Sequence, residues 1–170
     1  MGCDIHSKVH LFRDGRWRPV EAKLFPRAEY DGLFYPEPLD EPSPSPFDWR
    51  SYGMFGFLAG VRNYSFVPSL SEPRGFPSDM AGFDPEKTWE YGEHSFSWLG
   101  LFELLAFNYD ATFEDRRCTR DGNGAADSGP GNGTIVTFRE FLGLRFFRDL
   151  LIMQCLGKPS QTRLVFGFDN

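Results

Sequence analysis

The first twelve residues alternate in character. Cys3, Ile5, Ser7, Val9 and Leu11 make one set, and Asp4, His6, Lys8, His10 and Phe12 make the other. A period of two belongs to a strand, whose successive side chains leave opposite faces. The first set suits a core, and the second suits the floor of a polar site. Asp14-Gly15 offers a hairpin turn, so a second strand is expected from Trp17 to about Lys23, with Pro19 marking an edge position.

The pattern then changes. Pro26, Pro36, Pro38, Pro42, Pro44 and Pro46 crowd the stretch between Phe25 and Trp49, where proline at this density blocks helix interiors and sheet ladders. Too few residues precede it to form a core of their own, so it reads as a wrapping connection rather than a linker. Ser51–Val61 predicts a short helix capped by Asp48 or Ser51, against the cost of Gly53, Gly56 and Gly60. His94–Trp98 is expected to open a second helix reaching about Phe107, with Ser95 or Ser97 as cap and Leu101, Phe102, Leu104 and Leu105 as its apolar side. The Gly-rich run at 121–133 has nothing to bury and is expected to be mobile. Thr137-Phe-Arg-Glu140 is a capping box. It predicts a thickly apolar helix over 138–156, ended by Gly157 and Pro159. Thr162–Phe168 predicts a last strand lying beside the first.

Together these elements predict a single domain over 1–170 of the α+β class. A small antiparallel sheet, built from the N-terminal hairpin and the C-terminal strand, packs against helices between long irregular loops. At 170 residues the chain can bury a substantial core. No apolar run approaches the ~20 residues of a membrane span, and the expected location is the cytoplasm. Cys3, Cys118 and Cys155 are odd in number and lack a CxxC spacing, which argues against a disulfide framework or a structural zinc site. Met-Gly-Cys has no Ser or Thr at position 6 to complete a myristoylation pattern.

Charge narrows the chemistry. A net charge of −6 argues against duplex nucleic acid, which needs a basic face. Of 18 basic residues only Lys8, Lys23, Lys87 and Lys158 are lysines. Arginine supplies a rigid fork for phosphate or carboxylate and stacks on rings, so Arg-plus-aromatic richness suits a small anionic nucleotide. A codon bias toward Arg explains the same composition.

Asp4 and His6 stand ~7 Å apart on one strand face and can converge on one atom. His10 lies ~13 Å beyond His6, too far to share a metal with it, and takes a surface or second-site role. His94 is the expected third member, either completing a divalent-metal site with Asp4 and His6 or serving as their acid/base partner. An ordinary exposed hairpin histidine and a simple capping histidine account for the same residues. Arg62 and Arg74 are candidates for a phosphate clamp on proline-stiffened loops, and Tyr64 and Trp98 are candidates to stack a base. Cys3 faces away from His6 and reads as a buried structural thiol.

The opening Met-Gly-Cys-Asp-Ile-His resembles a widespread group of bacteriophage and prophage proteins. So do Gly60-Val-Arg-Asn63, Pro73-Arg-Gly-Phe-Pro-Ser-Asp79, His94-Ser-Phe-Ser-Trp98 and Val165-Phe-Gly-Phe-Asp-Asn170. Members often carry bulkier residues where this chain has Gly100 and Gly167. The resemblance implies a phage accessory protein of the bacterial cytoplasm, with counter-defence against nucleotide signals as a plausible role. Three readings follow: a hydrolase or phosphodiesterase of a nucleotide signal, a sponge that sequesters one, and a structural or host-interaction protein. None of them fixes an oligomeric state.

Overall fold

A computed structural model describes residues 2–27, 41–80, 84–118 and 126–170. The chain forms an α+β fold around a four-stranded antiparallel sheet. Strand β1 (Ile5–Arg13) turns at Asp14-Gly15, both at positive φ, into β2 (Arg16–Pro19). Pro19 has no N–H to donate, and β2 ends there at the sheet edge, four residues short of the expected Lys23. Strand β3 (His94–Gly100) and the C-terminal strand β8 (Thr162–Phe168) complete the order β2-β1-β8-β3. The first and last strands are therefore neighbours, with Ile5 opposite Phe168 and His10 opposite Arg163. Two short ladders lie outside this sheet: β4 (Thr112–Asp115) with β7 (Thr134–Thr137), and β5 (Arg117–Cys118) with β6 (Ala126–Asp127).

Helix α1 (Tyr52–Ala59) is capped as its sequence predicts. The Ser51 hydroxyl accepts from Met54 N–H, and Gly60 closes the helix in the left-handed conformation. Its glycines are tolerated because the helix is buried on nearly every side, and Gly53 and Gly56 lie against Phe141 and Asn63. Helix α3 (Phe138–Leu156) begins with the expected Thr137–Glu140 capping box, but it is two helices. Gly143, at φ 73°, breaks it, a conformation open to glycine alone at little cost. Gly157 ends it in extended rather than left-handed backbone.

His94–Trp98 does not open a helix. Its alternation is a strand's: Ser97 and Leu99 are buried on one face, while Phe96 and Trp98 leave the other. Helix α2 (Leu101–Ala106) starts only at Gly100, whose N–H donates to Glu103 at 2.8 Å.

The core lies on the sheet face that carries Ile5, Val9, Leu11, Leu99, Leu164, Phe166 and Phe168. Phe55 of α1 meets Phe168 edge-on, and Phe146 of α3 stacks on Phe47 at 4.8 Å. The wrapping connection is tied down at 41–50. Phe25 bridges Ser43, the Ser7 hydroxyl donates to the Pro46 carbonyl, and buried Asp149 accepts from Phe47 N–H at 2.7 Å. The remainder of the proline-rich stretch, 28–40, and residues 121–125 of the Gly-rich run lie outside the described residues. Among the described residues no helix is long and apolar enough to cross a membrane.

Candidate functional site

The face of the sheet opposite the core carries the polar set of β1. Register places His6 beside Gly167, Lys8 beside Val165 and Trp98, and His10 beside Arg163 and Gly100. A 3₁₀ turn over Pro85–Tyr91, followed by Gly92, crosses this face and seals much of it. At Gly167 the crossing is so close that a Cβ would lie 2.2 Å from the Tyr91 carbonyl oxygen. A bulkier residue there requires the turn to move.

His6 stands at the open end. Its Nε2 lies 2.8 Å from Asp169 Oδ2, and the two side chains are 38% and 32% exposed. The other Asp169 oxygen accepts the Asp4 backbone N–H at 2.9 Å, and Asp169 N–H returns a bond to the Asp4 carbonyl. Burial alone would raise the Asp169 pKa, but His6 and the Asp4 N–H outweigh it and hold the carboxyl below its usual range. With Nε2–H donated to Asp169, the imidazole lone pair sits on Nδ1, the tautomer a general base requires.

The expected partners of His6 are placed differently. The Asp4 carboxylate is gripped by Arg50 through Nε at 2.8 Å and Nη2 at 2.6 Å, and orients His6 only indirectly, through its backbone. His94 pairs with Phe168 where His6 pairs with Gly167. Adjacent residues of β8 face opposite ways, so the two imidazoles leave the sheet on opposite sides. His94 stacks on Phe168 with centroids 6.2 Å apart, and its Nδ1 lies 2.9 Å from the Ser95 hydroxyl. The strand that replaced the expected helix is the cause: it fixes His94 by register rather than leaving it on a loop free to fold back. Among the described residues no three His, Cys, Asp or Glu side chains gather to hold a metal ion. Asp4, His6 and His94 therefore do not form the expected divalent-metal site.

Arg62 reaches Asn170, the residue that follows Asp169. Held at φ 48°, it donates to Asn170 Oδ1 at 3.1 Å and to the Tyr64 hydroxyl at 3.4 Å. Arg74 is turned elsewhere. Its guanidinium is spent on Glu103 at 2.9 and 2.7 Å and lies over the Trp98 ring at 5.1 Å. Cys3 is fully buried, and burial pushes its thiol pKa up despite a hydrogen bond from Arg62. That matches its reading as structural.

His10 departs most from expectation. It is 2% exposed, with Nε2 3.0 Å from the Tyr91 hydroxyl, and desolvation, helped by Arg163 and Lys8, lowers its pKa to about 3. A surface role is excluded by the turn that covers it. Asp169 and Arg163 were not singled out by sequence. Asp169 follows the last strand, and only the register of β1 against β8 reveals that it faces Asp4 and His6. Comparison of the chain with protein-family models, curated proteins and solved structures finds no match.

Proposed function

We propose that the protein is an acid–base hydrolase of a small anionic nucleotide, with His6 as general base and Asp169 as the carboxylate that orients it. The reading rests on one observation. A half-exposed imidazole is held at 2.8 Å by a carboxylate that a backbone N–H and the sheet register fix in place. A core histidine lacks the exposure, and an incidental surface pair lacks the anchoring.

In the proposed step Nδ1 takes a proton from water, and the oxygen so activated attacks phosphorus. The P–O ester bond breaks, and the leaving oxygen receives the proton from the imidazolium. Asp169 stays ionised and stabilises that imidazolium. Arg62, which bonds Asn170 next to Asp169, is the candidate to hold the phosphate of the substrate. The resemblance of the opening hexapeptide to phage proteins points to a host-cytoplasm setting and to a nucleotide immune signal as the substrate.

Mass spectrometry of nucleotides incubated with the protein tests this. A new product mass that disappears in His6→Ala and in Asp169→Ala supports the reading. Unchanged nucleotide recovered from the denatured protein favours sequestration instead. Neither product nor bound nucleotide overturns both.

A further inference from the structure

Arg163 lies in β8 across from His10 and is 3% exposed. Trp17 lies against its guanidinium, with the central carbon 4.1 Å from the ring centroid, and Trp98 lies at 5.9 Å. Nη1 donates to Asp79 at 2.7 Å. Nε and Nη2 are buried without a hydrogen-bond partner among the described residues, and so is Nδ1 of His10. Buried polar atoms are almost always satisfied, and a cationic donor left over asks for an acceptor.

The two unmatched atoms are chemically specific. Nε–H and one Nη2–H run parallel along one edge of the guanidinium, the edge that takes two oxygens of a carboxylate or phosphate at once. This protein uses that edge repeatedly at its surface. Arg50 takes Asp4 with it, and Arg139 takes Asp110 at 2.7 and 3.3 Å. Arg117 takes Asp115 at 3.0 and 2.6 Å. At Arg163 the edge is more deeply buried than in any of these, and among the described residues no carboxylate meets it. Asp79, which holds the other end, is 59% exposed at its side chain, so the cluster lies one side chain from solvent.

We propose that Arg163 anchors an internal oxyanion site, in which two oxygens of a phosphate group bond Nε and Nη2 between the Trp17 and Trp98 rings. The site lies ~13 Å along β8 from Gly167 and the His6–Asp169 pair. It does not rest on the hydrolase reading. A tetrahedral phosphate satisfies the fork and keeps oxygens for further donors, whereas a carboxylate satisfies the fork alone.

The test is a titration of isotope-labelled protein with inorganic phosphate, read at the Arg163 Nε–H resonance assigned through bonds from its backbone amide. Acetate and chloride at matched ionic strength are the comparison arms. The expected result is a saturable shift with phosphate that exceeds the acetate shift and is absent from the Arg139 resonance. Arg163→Lys keeps the charge but loses the fork, and should weaken phosphate binding at least tenfold. Where that variant does not fold, the wild-type titration decides alone. No saturable shift means that water satisfies the edge, and overturns the proposal. A drift shared with Arg139, or a preference for acetate, overturns it equally.

Discussion

His6 and His10 leave the same face of the same strand, two repeats of the pleat apart, and the fold treats them as different residues. His6 has the open end of the sheet beside it and a carboxylate on its ring. His10 lies under Tyr91, across from a buried guanidinium, with its pKa at about 3. Residue type and strand face are common to both, so neither decides the chemistry. What decides is the chain laid over the face, here the 3₁₀ turn that ends at Tyr91. One polar stripe on a strand thus yields a half-exposed ring bonded to a carboxylate and another that burial keeps neutral.

The sharpest way to break this contrast is to remove each ring in turn. On the proposed hydrolase reading, His6→Ala should lower turnover by about 10²–10⁴-fold, the usual range for a lost acid–base group. It should cost under ~1 kcal/mol in stability, because a half-exposed polar side chain supports little packing. Product formation and urea melts on the same sample measure both. A large loss of stability with activity intact would show His6 to be a packing residue.

His10→Ala should behave in the opposite way. It empties a buried position and leaves the Tyr91 hydroxyl without its partner, at an expected cost of about 2–3 kcal/mol. Turnover measured at a temperature where the variant stays folded should be close to normal. A melting temperature equal to wild type would mean that the turn does not seal this end.

Much of the scaffold could be read before any coordinates, and the reasons lie in particular residues. The period-two run from Cys3 to Leu11, the Asp14-Gly15 turn and the Thr137–Glu140 capping box are local signals, and local physics settled them. His94–Trp98 misled because its serines double as helix caps, and the strand there is stabilised by pairing with β8, a contact far away in sequence. The same holds for the candidate site. His6 and Asp4 could be picked out as a pair on one face, but Asp169 joins them across the whole length of the chain. The sequence predicts that the first and last strands pair, but not in which register, and the register is what sets Asp169 against Asp4 and His6. His10 and Arg163 were obscured for a further reason: burial of a polar face depends on a loop crossing it, and no periodicity encodes that.

Acid tests the burial of His10 by itself. A ring held neutral until about pH 3 in the folded chain, against 6.5 as its ordinary value, binds fewer protons folded than unfolded throughout that window. Stability must therefore fall as pH drops from 6.5 toward 3, with a slope from this one group of at most about 1.4 kcal/mol per pH unit. Above 6.5 the contribution is flat. His10→Gln removes the titration, so the difference between wild-type and variant unfolding free energies should shrink with acidification across that window. A difference that stays constant with pH would mean that His10 is not desolvated.

The smallest effect belongs to the ion pair that borders this face near Trp98. Arg74 and Glu103 are 30% and 23% exposed, and their coupling in a double-mutant cycle should be about 0.2–1 kcal/mol, weakened by salt. The two single variants should nevertheless differ. Glu103 accepts from Arg74 and also from the Gly100 N–H at the start of α2, and both contacts hold its pKa below the usual carboxylate range. Arg74→Ala removes the pair, the Nε bond to Ser71 and the contact with the Trp98 ring, but leaves the cap. Glu103→Ala removes the pair and the cap, and should cost about 0.5–1 kcal/mol more. Equal losses from the two would show that Gly100 does not depend on Glu103, and that the start of α2 is set by strand β3 rather than by its cap.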